Sequence, residues 1–181
     1  VVSILAEALT AVGLPNFTIH ISHRRLLECL ALASGVDERQ AGSIYRAVDK
    51  LSKIGPGGVR RELEGEGIDS VAAEKVLDAV TRTGSPQELL DDLDIRLAGV
   101  ESAPTAIAEV RQLFELLPAF GVPDGAYALD LSLARGLDYY TGPVYEATVD
   151  EPKVGSVAGA GRYDKLVGTF LGRPIPATGI S

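Results

Sequence analysis

The sequence predicts an α+β fold, in which an antiparallel sheet with helices carries an inserted all-helical subdomain. Three observations lead there. Phe17-Thr18-Ile19-His20-Ile21 alternates apolar and polar residues, the pattern of a half-buried strand. From about Arg24 to Phe120 the apolar residues recur at helical spacing, interrupted only by caps and breakers. After the turn-rich Gly121-Val122-Pro123-Asp124-Gly125 the period falls back to two, and short turns join the strands, which favours antiparallel pairing. The expected division is residues 1–22 as the start of the core, 23–121 as the inserted helical domain, and 122–181 as the remainder of the core.

The elements follow in order. Val2, Leu5, Leu9 and Val12 share one helix face, and Gly13 and Pro15 end it. The strand at residues 17–21 comes next, with both histidines, His20 and His23, in or beside it. Leu26, Leu27, Leu30 and Ala31 form an apolar helix face that stops at Gly35. Asp37 suits the N-cap of a helix through Ile44, Val48 and Leu51, and Ile54-Gly55-Pro56-Gly57-Gly58 should break the chain. Asp69 can cap a helix through Val76 and Val80. Ser85-Pro86, with Glu88 three residues after the serine, has the spacing of a capping box. Pro104 opens a helix through Ile107, Val110, Leu113 and Leu117. Beyond the linker, Ala126 to Leu133, Val144 to Val149 and Val154 to Ala158 read as strands, with a hairpin turn at Asp150-Glu151-Pro152-Lys153. Tyr163 to Phe170 reads as a short helix and Ile175 to Ile180 as a last strand.

Composition narrows the function. Hydrophobic residues are 46% of 181, enough for a real core. A net charge of -8 weighs against a dedicated nucleic-acid clamp, which carries a basic face. Local basic clusters at Arg24-Arg25, Lys50 with Lys53, and Arg60-Arg61 read as solvated helix faces that could also meet a phosphate backbone. Cys29 is the only cysteine, so neither an internal disulfide nor a cysteine-built zinc site can form, and a reducing, cytoplasmic setting fits. His20 and His23 lack an obvious third ligand, so no metal site is expected. No apolar run reaches membrane-spanning length. The chain starts with valine and has no methionine, and we read it as a piece of a longer protein.

The chemistry concentrates in Arg135-Gly136-Leu137-Asp138-Tyr139-Tyr140-Thr141-Gly142 and Gly161-Arg162-Tyr163-Asp164. A guanidinium among glycines can meet a carboxylate or phosphate bidentately, and phenols can donate or accept hydrogen bonds. The set suits a small polar ligand with an anionic group. The duller reading of Arg135 is a surface ion pair with Asp138 or Asp164. Tyr139 and Tyr140, if on a strand, point to opposite faces. Gly159-Ala160-Gly161 is expected at the end of a strand leading into a helix, where glycine allows close approach and free amides can meet an anion.

In this order and spacing the two motifs closely resemble the histidyl-tRNA synthetase core. Leu131 to Tyr145 resembles the family's first histidine-specific signature, and Gly161 to Asp164 the second. Phe17 to Leu27 resembles the segment after the family's motif 2, where a strand leads into the inserted helical domain. The resemblance implies a class II synthetase core and a histidine–tRNA ligase. Such an enzyme activates histidine with ATP, with Mg2+ accompanying the nucleotide, and transfers it to histidine tRNA. It implies that Arg135 is the catalytic arginine bridging the histidine carboxylate and the α-phosphate. Tyr139, Tyr140 and Tyr163 match tyrosines at the histidine pocket, and Gly136 and Gly161 would keep its floor open. It further implies a homodimeric parent in the cytoplasm.

Ala160 departs from the family, which has glycine there; its methyl would narrow the pocket floor or fill space. Motifs 1 and 2, most of motif 3 and the anticodon-binding domain are not in this sequence, so the chain alone is expected to be inactive and to bind no cofactor by itself. Two other readings stand beside the ligase. One is the histidine-sensing regulatory subunit of ATP phosphoribosyltransferase, which has no need of the catalytic cation. The other is a non-catalytic synthetase-like domain that binds RNA, which need not keep the tyrosines.

Overall fold

The computed structural model describes residues 1–37, 39–135, 139–151 and 154–181. Helix α1 (Val2–Ala11) buries Val2, Leu5, Ala6 and Leu9 along one stripe, and leads to strand β1 (Phe17–His23). Six helices follow: α2 (Arg24–Ala33), α3 (Ala41–Val48), α4 (Leu51–Gly65), α5 (Ser70–Val80), α6 (Pro86–Arg96) and α7 (Ala103–Leu116). Strands β2 (Tyr127–Leu129), β3 (Pro143–Val149) and β4 (Gly155–Arg162), a short helix α8 (Leu166–Leu171), and β5 (Thr178–Ile180) complete the chain. Among the described residues no helix is long and apolar enough to cross a membrane.

Two of the expected caps form where the sequence places them. Asp69 accepts from the Val71 amide, and Ser85 and Glu88 close a reciprocal capping box. Asp37 instead accepts from Arg39 in a turn, and α3 starts only at Ala41. The helix expected to reach Leu51 ends at Val48. The Ile54–Gly58 breaker bends α4 without ending it: Gly55 sits at φ 68°, a conformation open to glycine, and the chain re-enters the helix with Pro56 in a first turn, where no amide is needed.

The strand order is β2-β1-β3-β4-β5. β1–β3, β3–β4 and β4–β5 are antiparallel as expected, but β1 pairs with β2 in parallel, so the sheet is mixed. The physical reason is the intervening helical segment, which returns the chain to the end of the sheet where β1 began, as a parallel neighbour requires. β2 is also shorter than the alternation predicts. At Asp130 the carboxylate accepts from the amide and hydroxyl of Ser132, which bends the chain out of the sheet. β4 runs on through Arg162, so Gly159-Ala160-Gly161 lies inside a strand. α8 begins later than expected, at Leu166, and with six residues offers no helix-start anion site to those glycines. The last strand is confined to Thr178–Ile180. Of the expected β3–β4 turn, Pro152 and Lys153 lie outside the described residues.

Buried apolar residues form two clusters. One joins α2 through α7 with Leu129, Leu131 and Ala134. The other packs α1, Leu117 and Val122 on Phe17, Ile19, Ile21, Tyr145, Ala147, Val149 and Ala160. α1 and the end of α7 therefore cover one face of the sheet, called here the back. Thr18, His20 and Ser22 alternate with the back-facing residues of β1 and point to the front.

Candidate functional site

The front of the sheet gathers the charged residues. Cross-strand register sets His20 opposite Glu146 and Thr18 opposite Thr148. His20, Glu146, Thr148, Asp130, Arg135 and Ser156 line a cavity of about 450 Å³. Asp49, Ser52 and Lys53, at the α3–α4 junction, overhang it.

Arg135 follows Leu133 and Ala134, which are buried and fix the chain direction there. Its Nη1 lies 2.9 Å from Glu146 Oε1 and donates to Ser156 Oγ at 3.2 Å. The ion pair expected with Asp138 or Asp164 is thus made with Glu146. Asp164 takes Arg162, at 2.9 and 3.0 Å from Nε, and Asp138 lies outside the described residues. Next to this pair, His20 Nδ1 is 3.0 Å from Asp130 Oδ2, and its Nε2 is 3.1 Å from Thr148 Oγ1. The hydrogen bond to Asp130 raises the His20 pKa, with burial opposing it. Burial works against the Asp130 carboxylate, but the hydrogen bonds from His20 and Ser132 hold its pKa below the usual carboxylate range.

Toward the β5 edge the floor is glycine and the cover is aromatic. Gly161 pairs with Val144 and with Gly179, so both glycines share a face. A Cβ at Gly161 would meet the Tyr140 ring, with Cδ1 2.5 Å away, and one at Gly179 would strike the Tyr163 hydroxyl. Tyr140 and Tyr163 therefore lie directly over the two glycines, with ring centroids 6.3 Å apart. Gly161 makes room for Tyr140 rather than leaving the floor bare. Tyr139 and Tyr140 do not point to opposite faces: neither is in a strand, and their rings sit 4.4 Å apart. Thr141 pins this turn. Its amide donates to Arg162 O, and its hydroxyl accepts from the Asp164 amide. Burial first, and then the neighbouring Tyr139 phenol, push Tyr140 up to about 12, while Arg135 pulls the other way. The phenol is thus a neutral donor at physiological pH. Gly136 lies outside the described residues.

Ala160 belongs to the back. It is paired with Tyr145, and its methyl is buried in the back cluster, so it fills core space and does not narrow the front floor. His20 and His23 serve separately: His23 is buried on the back side and bonds Glu109 at 2.8 Å. Among the described residues no group of three or more His, Cys, Asp and Glu side chains fits a metal ion. The described residues thus present no carboxylate cluster that would hold a magnesium ion by themselves. Of the basic clusters, Arg24, Arg25, Lys50 and Arg60 pair with Glu28, Glu109, Glu62 and Glu74. Sequence reasoning missed Glu146, Asp130 and Ser156. Alternation along β3 could have put Glu146 on one face, but only the register shows that it meets Arg135.

The sequence profile described as "Histidyl-tRNA synthetase" matches residues 1–181. The histidine–tRNA ligase of Aeropyrum pernix is 43% identical over 186 residues, covering 100% of this chain and 40% of that protein. The solved histidyl-tRNA synthetase of Nostoc sp. PCC 7120 superposes with a TM-score of 0.93 at 37% identity, over 99% of this chain and 42% of that one. A Bacillus halodurans structure, described as an ATP phosphoribosyltransferase regulatory subunit/histidyl-tRNA synthetase, gives 0.83 at 25% identity, over 99% of this chain and 45% of that one. This chain spans about 40% of the length of the curated relatives it matches. On the profile match and the site motifs together, the chain belongs to the histidyl-tRNA synthetase family.

Proposed function

We propose that this chain supplies one wall of a catalytic centre that activates histidine with ATP and then charges histidine tRNA. The observation that carries the proposal is the grouping of Arg135 with Tyr140 on Gly161 and Tyr163 over Gly179, on one sheet face. Arg135 is the catalytic residue of this reading. Its guanidinium bridges the histidine carboxylate and the α-phosphate, so that two anions can approach and the carboxylate oxygen can attack phosphorus as pyrophosphate leaves. Tyr140 and Tyr163 orient the amino acid through their phenols, with Tyr140 nearest the imidazole and Tyr139 beside it. Magnesium arrives with ATP as part of the substrate.

The same reading divides the chain at residues 1–22, 23–121 and 122–181, with support from the separate helical and sheet clusters. It makes the parent protein a cytoplasmic homodimer whose partners are histidine, ATP and histidine tRNA. The 181 residues alone are expected to be inactive, because the family's motifs 1 and 2 are not among them.

The test is histidine-dependent ATP–pyrophosphate exchange by the full-length protein that carries this sequence. Arg135→Ala is expected to slow exchange about a hundredfold or more, as loss of a fixed transition-state charge does. Histidine binding without exchange in the unaltered protein would overturn the ligase reading and leave a histidine sensor.

A further inference from the structure

Resting on that reading, we propose that Glu146 is a positioning residue that holds Arg135 ready for its anionic ligand. Glu146 stands in the middle of β3, between β1 and β4, on a backbone paired on both sides. Its side chain is only 17% exposed, whereas that of Arg135 is 49% exposed. The carboxylate is therefore the fixed member and the guanidinium the one that gains order. Glu146 and Ser156 both engage the same nitrogen, Nη1. Among the described residues Glu146 and Ser156 are the hydrogen-bond and ion-pair partners of Arg135, and both take Nη1, which leaves the two-donor Nε–Nη2 edge clear of them. That edge has the geometry for a carboxylate or phosphate, while Nη1 is anchored from behind.

A second observation explains why an acid can stand at this place. Glu146 faces His20 across the β1–β3 register, and His20 is bonded to Asp130. Asp130, His20, Glu146 and Arg135 follow one another across the floor, with His20 between the two acids. Glu146 has Arg135 as its cationic partner, Asp130 is hydrogen-bonded to His20, and the incoming anion meets Arg135 as the end of the row. A lone acid beside a phosphate site would repel substrate. Here its charge is spent on orienting the cation.

The experiment measures exchange kinetics in the full-length protein with Glu146→Ala, Glu146→Gln, Ser156→Ala, Arg135→Ala and the Arg135→Ala/Glu146→Ala pair. Glu146→Ala is expected to lower kcat about tenfold or more, as misorientation of a transition-state group does, with KM for histidine within about threefold. Glu146→Gln keeps an acceptor oxygen and should recover most of the loss. Ser156→Ala should cost a smaller factor. The double variant should be no slower than Arg135→Ala alone, because a positioning residue acts only through the group it positions. Wild-type kcat in Glu146→Ala, or an additive loss in the pair, overturns the proposal. If Glu146→Ala does not fold, Glu146→Leu, which fills the space without an acceptor, takes its place, and full kcat in it overturns the proposal equally. An Arg135→Ala collapse with an intact Glu146→Ala sinks this inference alone; absence of exchange in the unaltered protein sinks both readings.

Discussion

At Gly161 one absent methyl decides where an aromatic ring lies. The Tyr140 ring occupies the space of a Cβ, so alanine there must lift the ring off the sheet. Gly161→Ala in the full-length protein is expected to raise KM for histidine about tenfold, a loss of ~1.4 kcal/mol. An unchanged KM would show that Tyr140 does not contact the amino acid. The motifs put Arg135, Tyr140, Tyr163 and Gly161 on one list, and the sheet brings them to one face. What they could not convey was the reason for the glycine. Nor could they reveal the partner of Arg135, because Glu146 and Ser156 meet it only through pairing between strands distant in sequence. Ala160 shows the converse: one residue away, side-chain alternation sends its methyl to the other face, where it packs as core.

Among the elements, α2 begins in an unusual way, on a histidine. His23 has extended backbone angles, and its Nδ1 accepts from the Arg25 amide at 3.2 Å while Nε2 meets Glu109 of α7. Capping requires Nδ1 without its proton, so the neutral ring carries hydrogen on Nε2 and donates it to Glu109. Burial lowers the His23 pKa, with the hydrogen bond and charge of Glu109 opposing, and Arg25 and Glu28 also facing the ring. The depressed value fixes the sign. The unfolded chain takes up a proton first, so stability is full above about pH 6.5 and falls as pH drops from there through the folded-state pKa. His20, whose pKa is raised, contributes in the opposite direction, so the two must be separated by a variant. His23→Asn keeps a cap acceptor and cannot titrate. Its thermal midpoint is expected to fall less than that of the wild type between pH 7.5 and 5.5, and equal falls would refute the assignment. Local signals were enough for two helix starts: the capping box at Ser85 and the cap at Asp69 act within four residues, and the structure has them. β2 was overextended because Asp130 and Ser132 make a turn within an alternating run, and alternation alone does not register that competition.

On the scale of the molecule, the sheet and the helical layer share one cavity, to which the α3–α4 junction adds Asp49, Ser52 and Lys53. Sequence reasoning found both layers, but the mixed sheet was not legible, because the parallel strand arrives only after the whole helical segment. That arrangement has a consequence in time. β1 ends at His23, and its outer neighbour begins at Tyr127, roughly a hundred residues later. Closing so long a loop directly is costly in chain entropy, whereas folding the helices first shortens it. Pulse-labelled hydrogen exchange during refolding is therefore expected to protect α2–α7 amides before those of β1, and the reverse order would refute this. At a synthesis rate of 5–20 residues per second, β1 would wait roughly 5–20 s on the ribosome before either of its partner strands exists. Through that interval Ile19 and Ile21, which end with no exposed surface at all, lack both of the strands that flank them.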